Sequence, residues 1–122
     1  MINLGTNDFK GTEANNLTDA VDASTLGQHL QSLLEAASGI PHVMLVNIWA
    51  NTKLAPTTMK NVADTPSQYA DATSAAGVTL INWAKRAREN IGLIGDDGVH
   101  DSGDGEATRV NLITSAVSSN CG

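Results

Sequence analysis

The feature that most constrains this chain is a near-continuous apolar run, Val43-Met44-Leu45-Val46, extended by Ile48 and Trp49. A strand with one wet face alternates apolar and polar residues. A run without that alternation suits a strand covered on both faces, as in a parallel sheet packed by helices. Parallel neighbours cannot be joined by a tight hairpin, so the flanking segments must supply helical crossovers.

They have the pattern to do so. Leu26, Leu30, Leu33, Leu34 and Ala37 lie on one face of a helix, with Ser24 as N-cap and Gly39 as the residue that ends it. Pro41 blocks continuation into the apolar run, which His42 introduces. After a polar loop over 50–64, Thr65 and Pro66 open a second helix as N-cap and first helical residue, and Gly77 closes it. Val78-Thr79-Leu80-Ile81 is a further short strand, and Trp83 to Asn90 a short basic helix. A Gly/Asp-rich loop over 91–105 precedes a last helix from Asp104 or Gly105, expected to bury Ala107, Val110, Ile113, Ala116 and Val117. At the other end, residues 1–4 read as a strand, broken by Gly5-Thr6-Asn7-Asp8 and a polar loop over 10–23. The order strand, helix, strand, helix, strand, helix implies an α/β fold with a parallel sheet.

With 122 residues there is room for one small domain. Seven basic against thirteen acidic residues give a formal charge of −6, which argues against a nucleic-acid partner. No apolar stretch approaches the length of a membrane span. The single cysteine, Cys121, allows no internal disulfide and no multi-cysteine metal site; it is a free thiol or half of a bridge made elsewhere. No metal or cofactor is expected. The acidic set Asp96, Asp97, Asp101, Asp104 and Glu106 does not follow the spacing of a calcium loop and reads as a solvated acidic loop. Lys85, Arg86 and Arg88 read as one solvated helix face. His29 falls on the first helix, and neither it nor His42 has a spaced metal-ligand partner. Trp49 and Trp83 end strands and read as core or rim packing before pocket lining.

Ligands of such sheets bind at the carboxyl ends of the strands, where two loops carry residues with chemistry. Asp97-Gly98-Val99-His100 places an aspartate three residues before a histidine, able to orient the imidazole and stabilise its protonated form. Gly5-Thr6-Asn7-Asp8 offers a glycine N–H and an asparagine amide that could donate to a developing oxyanion. Ser102, two residues past His100, reads as a helix cap rather than a nucleophile.

Taken together, these blocks resemble the SGNH hydrolases, the GDSL-type lipase and esterase superfamily. Gly5-Thr6-Asn7-Asp8 is similar to the family's GxND block and Asp97-Gly98-Val99-His100 to its DxxH block, with Gly105 standing for the glycine that follows the histidine. The resemblance implies a flavodoxin-like three-layer α/β/α sandwich, of which residues 1–122 would be an incomplete C-terminal portion with about three strands. It implies His100 as catalytic base, Asp97 as its partner, and Asn7 and Gly5 as oxyanion-hole donors. The substrate class would be acyl esters of small molecules, carbohydrates or lipids, attacked by a serine. The family's GDS nucleophile block has no counterpart here, so the chain is expected to be inactive alone. The alternative is a catalytically dead binding or assembly module of the same fold. The resemblance favours a secreted or periplasmic parent, with a cytoplasmic one left open, and an upstream cysteine as a partner for Cys121. It also implies that the strand at residues 1–4 lacks its neighbour and could self-associate through that edge.

Overall fold

The computed structural model describes residues 1–3, 23–55, 62 and 65–121. Strand β1 (Ile2–Asn3) is followed by α1 (Ala23–Ala36), β2 (Met44–Val46), α2 (Thr65–Ala76), β3 (Thr79–Ile81), α3 (Trp83–Glu89), a 3-10 turn at Ile91–Leu93, and α4 (Gly103–Cys121). The fold is mixed α/β. The three strands form a parallel sheet in the order β1-β2-β3, with Ile2 opposite Leu45, Leu45 opposite Leu80, and Val46 opposite Ile81.

β2 is the central strand, and all three of its residues are buried. Successive side chains of a strand point to opposite faces, and here they enter two different cores. Leu45 joins Leu26, Leu30 and Leu34 of α1 and Tyr69 and Ala72 of α2. Met44 and Val46 join Trp83 and Ala87 of α3, Leu93 and Ile94, with Leu112, Ile113 and Ala116 of α4 against them. β3 follows the same alternation: Leu80 packs on the first core and Ile81 belongs to the second. The apolar run thus has helices on both faces, as its composition requires. Burying a side chain of this size contributes roughly 1.5–3 kcal/mol.

The crossovers are closed by glycine. Gly39 and Gly77 have φ of 88° and 65°, a region where a Cβ is costly, and each turns the chain from a helix back toward the sheet. Gly27 of α1 is buried against Gln68 of α2, so the two crossover helices approach closely on one face.

Several local expectations need correction. α1 begins at Ala23, so Ser24 lies inside its first turn rather than capping it. The Thr65 hydroxyl donates back to the Val62 carbonyl at 2.8 Å. His42 stands in a turn before β2 with φ of 59°. The largest difference is in α4, which starts at Gly103 and buries only Gly105 fully. Ala107, Val110 and Val117 are exposed, whereas Ile113 and Ala116 are half-buried. The inward stripe runs through Gly105, Arg109, Leu112 and Ala116 to Asn120, whose side chain meets the Thr79 hydroxyl at 3.3 Å. Apolar residues occur on both sides of this helix, so periodicity alone leaves its rotation ambiguous. Trp83 is fully buried in the second core, and the basic residues of α3 are exposed, with Lys85 paired to Glu89 at 2.6 Å.

Gly105 decides how closely α4 approaches the rest of the molecule. A Cβ there would collide with the backbone carbonyl of Leu93, which cannot swing away as a flexible side chain could. Gly105→Ala is expected to cost about 1–3 kcal/mol in urea-unfolding experiments. An unchanged midpoint would mean that α4 slides outward at no cost.

Candidate active site

The chain leaves β2 through Asn47, Ile48, Trp49 and Ala50 and then turns at 51–55. Parallel pairing puts the carboxyl ends of all three strands at this same end of the sheet. The segment carrying Asp97 and His100 docks here. The Asn51 N–H donates to the Gly98 carbonyl at 2.7 Å, and the Asn51 carbonyl accepts from Ala55 at 2.8 Å and Leu54 at 3.0 Å. Val99 and Ala55 each pack against the first core.

The loop is closed at its base. Ile94 and Asp101 form an antiparallel bridge, and the Gly95 N–H donates to the His100 carbonyl at 2.7 Å. Gly98, at the tip, has φ of 73°, and a Cβ there would meet the backbone at Asn51 and Ala55. Glycine is therefore needed on two counts: a left-handed backbone and contact with the turn after β2.

Within this frame the predicted pair forms. Asp97 Oδ2 lies 2.5 Å from His100 Nδ1. The other carboxylate oxygen, Oδ1, accepts from the N–H groups of Val99 and His100, each at 2.9 Å. An imidazole that donates from Nδ1 presents the Nε2 lone pair as a base, the arrangement that a triad aspartate imposes. The hydrogen bond from His100, followed by the two backbone donors, pulls the Asp97 carboxyl from 3.8 to about 2. The His100 side chain is 84% exposed, so its free edge is open to an incoming group.

Ser102 is accounted for as a cap. Its hydroxyl donates to the Gly92 carbonyl at 2.7 Å and accepts from the Gly105 N–H at 3.1 Å. Gly5 and Asn7 lie outside the described residues, so the structure does not test their proximity to His100. A groove of about 770 Å³, with Leu34, Glu35, His42 and Thr79 in its wall, lies at the amino end of the strands, away from this loop.

Three residues that sequence reasoning passed over hold the site. Asn51 fastens the Gly98 tip. Asn47 is fully buried at the end of β2; its Oδ1 accepts from the Ala84 N–H at 2.8 Å and its Nδ2 donates to Asn82 at 2.9 Å, so it ties the central strand to α3. Its signal was visible: an asparagine inside an apolar run needs specific hydrogen-bond partners. The third is Arg109. Its Nε is 3.0 Å from Asp101 Oδ2, an ion pair without hydrogen-bond alignment, and its guanidinium lies 4.6 Å from the centre of the Trp83 ring. Asp101 is therefore not one of a set of solvated acids. Its side chain is only 16% exposed. Burial raises its carboxyl pKa, with Arg109 opposing, and burial lowers that of the Arg109 guanidinium, with Asp101 opposing.

No protein-family model matches this chain, and no curated protein matches it significantly. Among the described residues no helix is long and apolar enough to cross a membrane.

Because the folded-state pKa of Asp97 is depressed, the pair's stabilising contribution is complete above the ordinary carboxylate range and disappears as the pH falls through about 2. Carboxyl-carbon NMR should show Asp97 titrating near that value. In His100→Gln the midpoint should move part of the way back toward 3.8, because the two backbone donors remain. An unmoved midpoint would remove His100 as the principal cause.

Proposed function

We propose that this chain carries the base half of an SGNH-type serine ester hydrolase, on a flavodoxin-like sheet of which the described strands form one side. The observation that carries the reading is the Asp97–His100 contact on a loop at the carboxyl ends of parallel strands. In such a reaction a serine oxygen attacks the ester carbonyl while His100 Nε2 takes the hydroxyl proton. The imidazolium then protonates the departing alcohol, and water repeats the sequence to free the acid. Asp97 fixes the tautomer and offsets the charge that His100 gains. Asn7 and Gly5 would donate to the oxyanion. Acyl esters of small molecules, carbohydrates or lipids are the substrate class.

The serine is the missing element. Ser102, the hydroxyl closest to His100 in sequence, is committed to the start of α4. With no GDS block among residues 1–122, the chain by itself is expected to be inactive. A fluorophosphonate probe should label no serine in it, and stable serine labelling would overturn this part of the reading. An in-frame strand ending in Gly-Asp-Ser upstream of Met1 in the coding DNA would support the hydrolase. A stop codon there would favour the second reading, a binding or assembly module that keeps the loop without the chemistry.

The sheet order supports the hydrolase reading. Among the described residues β1 has a strand on one side only, and in the family the nucleophile strand stands on the other. An edge left without that strand would be a template for a second copy. Sedimentation should show association that rises with concentration, against which a monodisperse monomer at high concentration would count.

A further inference from the structure

The loop that bears Asp97 and His100 is joined at its base to α4 through charged side chains, although the pair itself lies in solvent. Asp101 follows His100 directly and forms the bridge with Ile94 that closes the loop. Its carboxylate is turned inward, and its cationic partner is Arg109, itself only 23% exposed and laid over the fully buried Trp83. A largely buried carboxylate without its partner would have to swing out to water or be protonated. Swinging out would draw Asp101 from Ile94 and loosen the adjoining bond from Gly95 N–H to the His100 carbonyl. Two exposed side chains keep a single contact only while their backbone is fixed, because surface pairs gain little over the entropy of holding them.

We propose that Arg109 is a positioning residue for His100: through Asp101 and the Trp83 ring it fixes the base of the loop and so keeps the imidazole donating from Nδ1 to Asp97. This rests on the reading of His100 as a base. Arg109 touches no reacting atom and acts only through its neighbours. The ion pair aligns the loop laterally, the ring stops the guanidinium from swinging away, and the Ser102 cap fixes the same loop to the first turn of α4.

The test uses the intact chain and no ester, so it is independent of whether the chain belongs to a hydrolase. Nitrogen-15 spectra of the imidazoles, recorded on the alkaline plateau of their chemical shifts, report the tautomer of His100, assigned with His100→Gln. In the natural chain the Nδ1-protonated form should dominate. In Arg109→Met its excess over the Nε2-protonated form should fall by about tenfold, the loss of one hydrogen bond's preference. Asp101→Asn, nearly the same shape, should act in the same direction and keeps the test open if Arg109→Met does not fold. Arg109→Lys, which retains the charge, should recover most of the natural tautomer ratio. An unchanged ratio in folded Arg109→Met or Asp101→Asn would overturn the proposal. So would a loss in Arg109→Lys as large as in Arg109→Met, which would leave Arg109 with a packing role only.

Discussion

The described elements are arranged around a strand that meets no water. Met44, Leu45 and Val46 are buried and their strand has a parallel neighbour on each side, so the helices must come to them. Leu45 draws α1 and α2 to one face, while Met44 and Val46 draw α3 and α4 to the other. Two crossovers wound in the same sense place their helices on the same face, which is why α1 and α2 touch through Gly27. Once the strands are parallel, their carboxyl ends gather at one end of the sheet. The turn after β2 becomes a platform on which a later loop can rest.

That loop is shaped chiefly by backbone hydrogen bonds. Gly98 turns it, Asn51 fastens its tip, and Gly95 and Ile94 close its base. The chemistry occupies four residues within it. Because Asp97 engages two N–H groups with one oxygen and His100 with the other, the carboxylate orients a specific edge of the imidazole. The scaffold's part is to hold those four residues at the mouth of the sheet, through Val99 against the first core and Arg109 in the second helix layer.

The elements whose sequence signal had one interpretation were legible. The apolar run around Leu45 could only be a strand covered twice, Gly39 and Gly77 could only end helices, and Asp97 three residues before His100 on a glycine-turned loop gave the pair directly. Legibility failed where the pattern allowed several rotations or where partners are distant in sequence. α4 has apolar residues around much of its circumference, so Val110 and Val117 seemed as suited to the core as Leu112 and Ala116. Asp101 looked like one acid among several because its partner, Arg109, stands on the next helix and is recognisable only once that helix is docked on Trp83.

Asn47 has a consequence for how faithfully the sheet assembles. Short apolar strands are nearly degenerate in alignment, since sliding Met44–Val46 along a neighbour exchanges one aliphatic residue for another. A slip of one residue would draw the Asn47 side chain away from α3, leaving its amide without Asn82 and the Ala84 N–H without its acceptor. The asparagine acts as a checksum on the strand: misaligned sheets are penalised by a buried polar group, and the aligned one alone satisfies it.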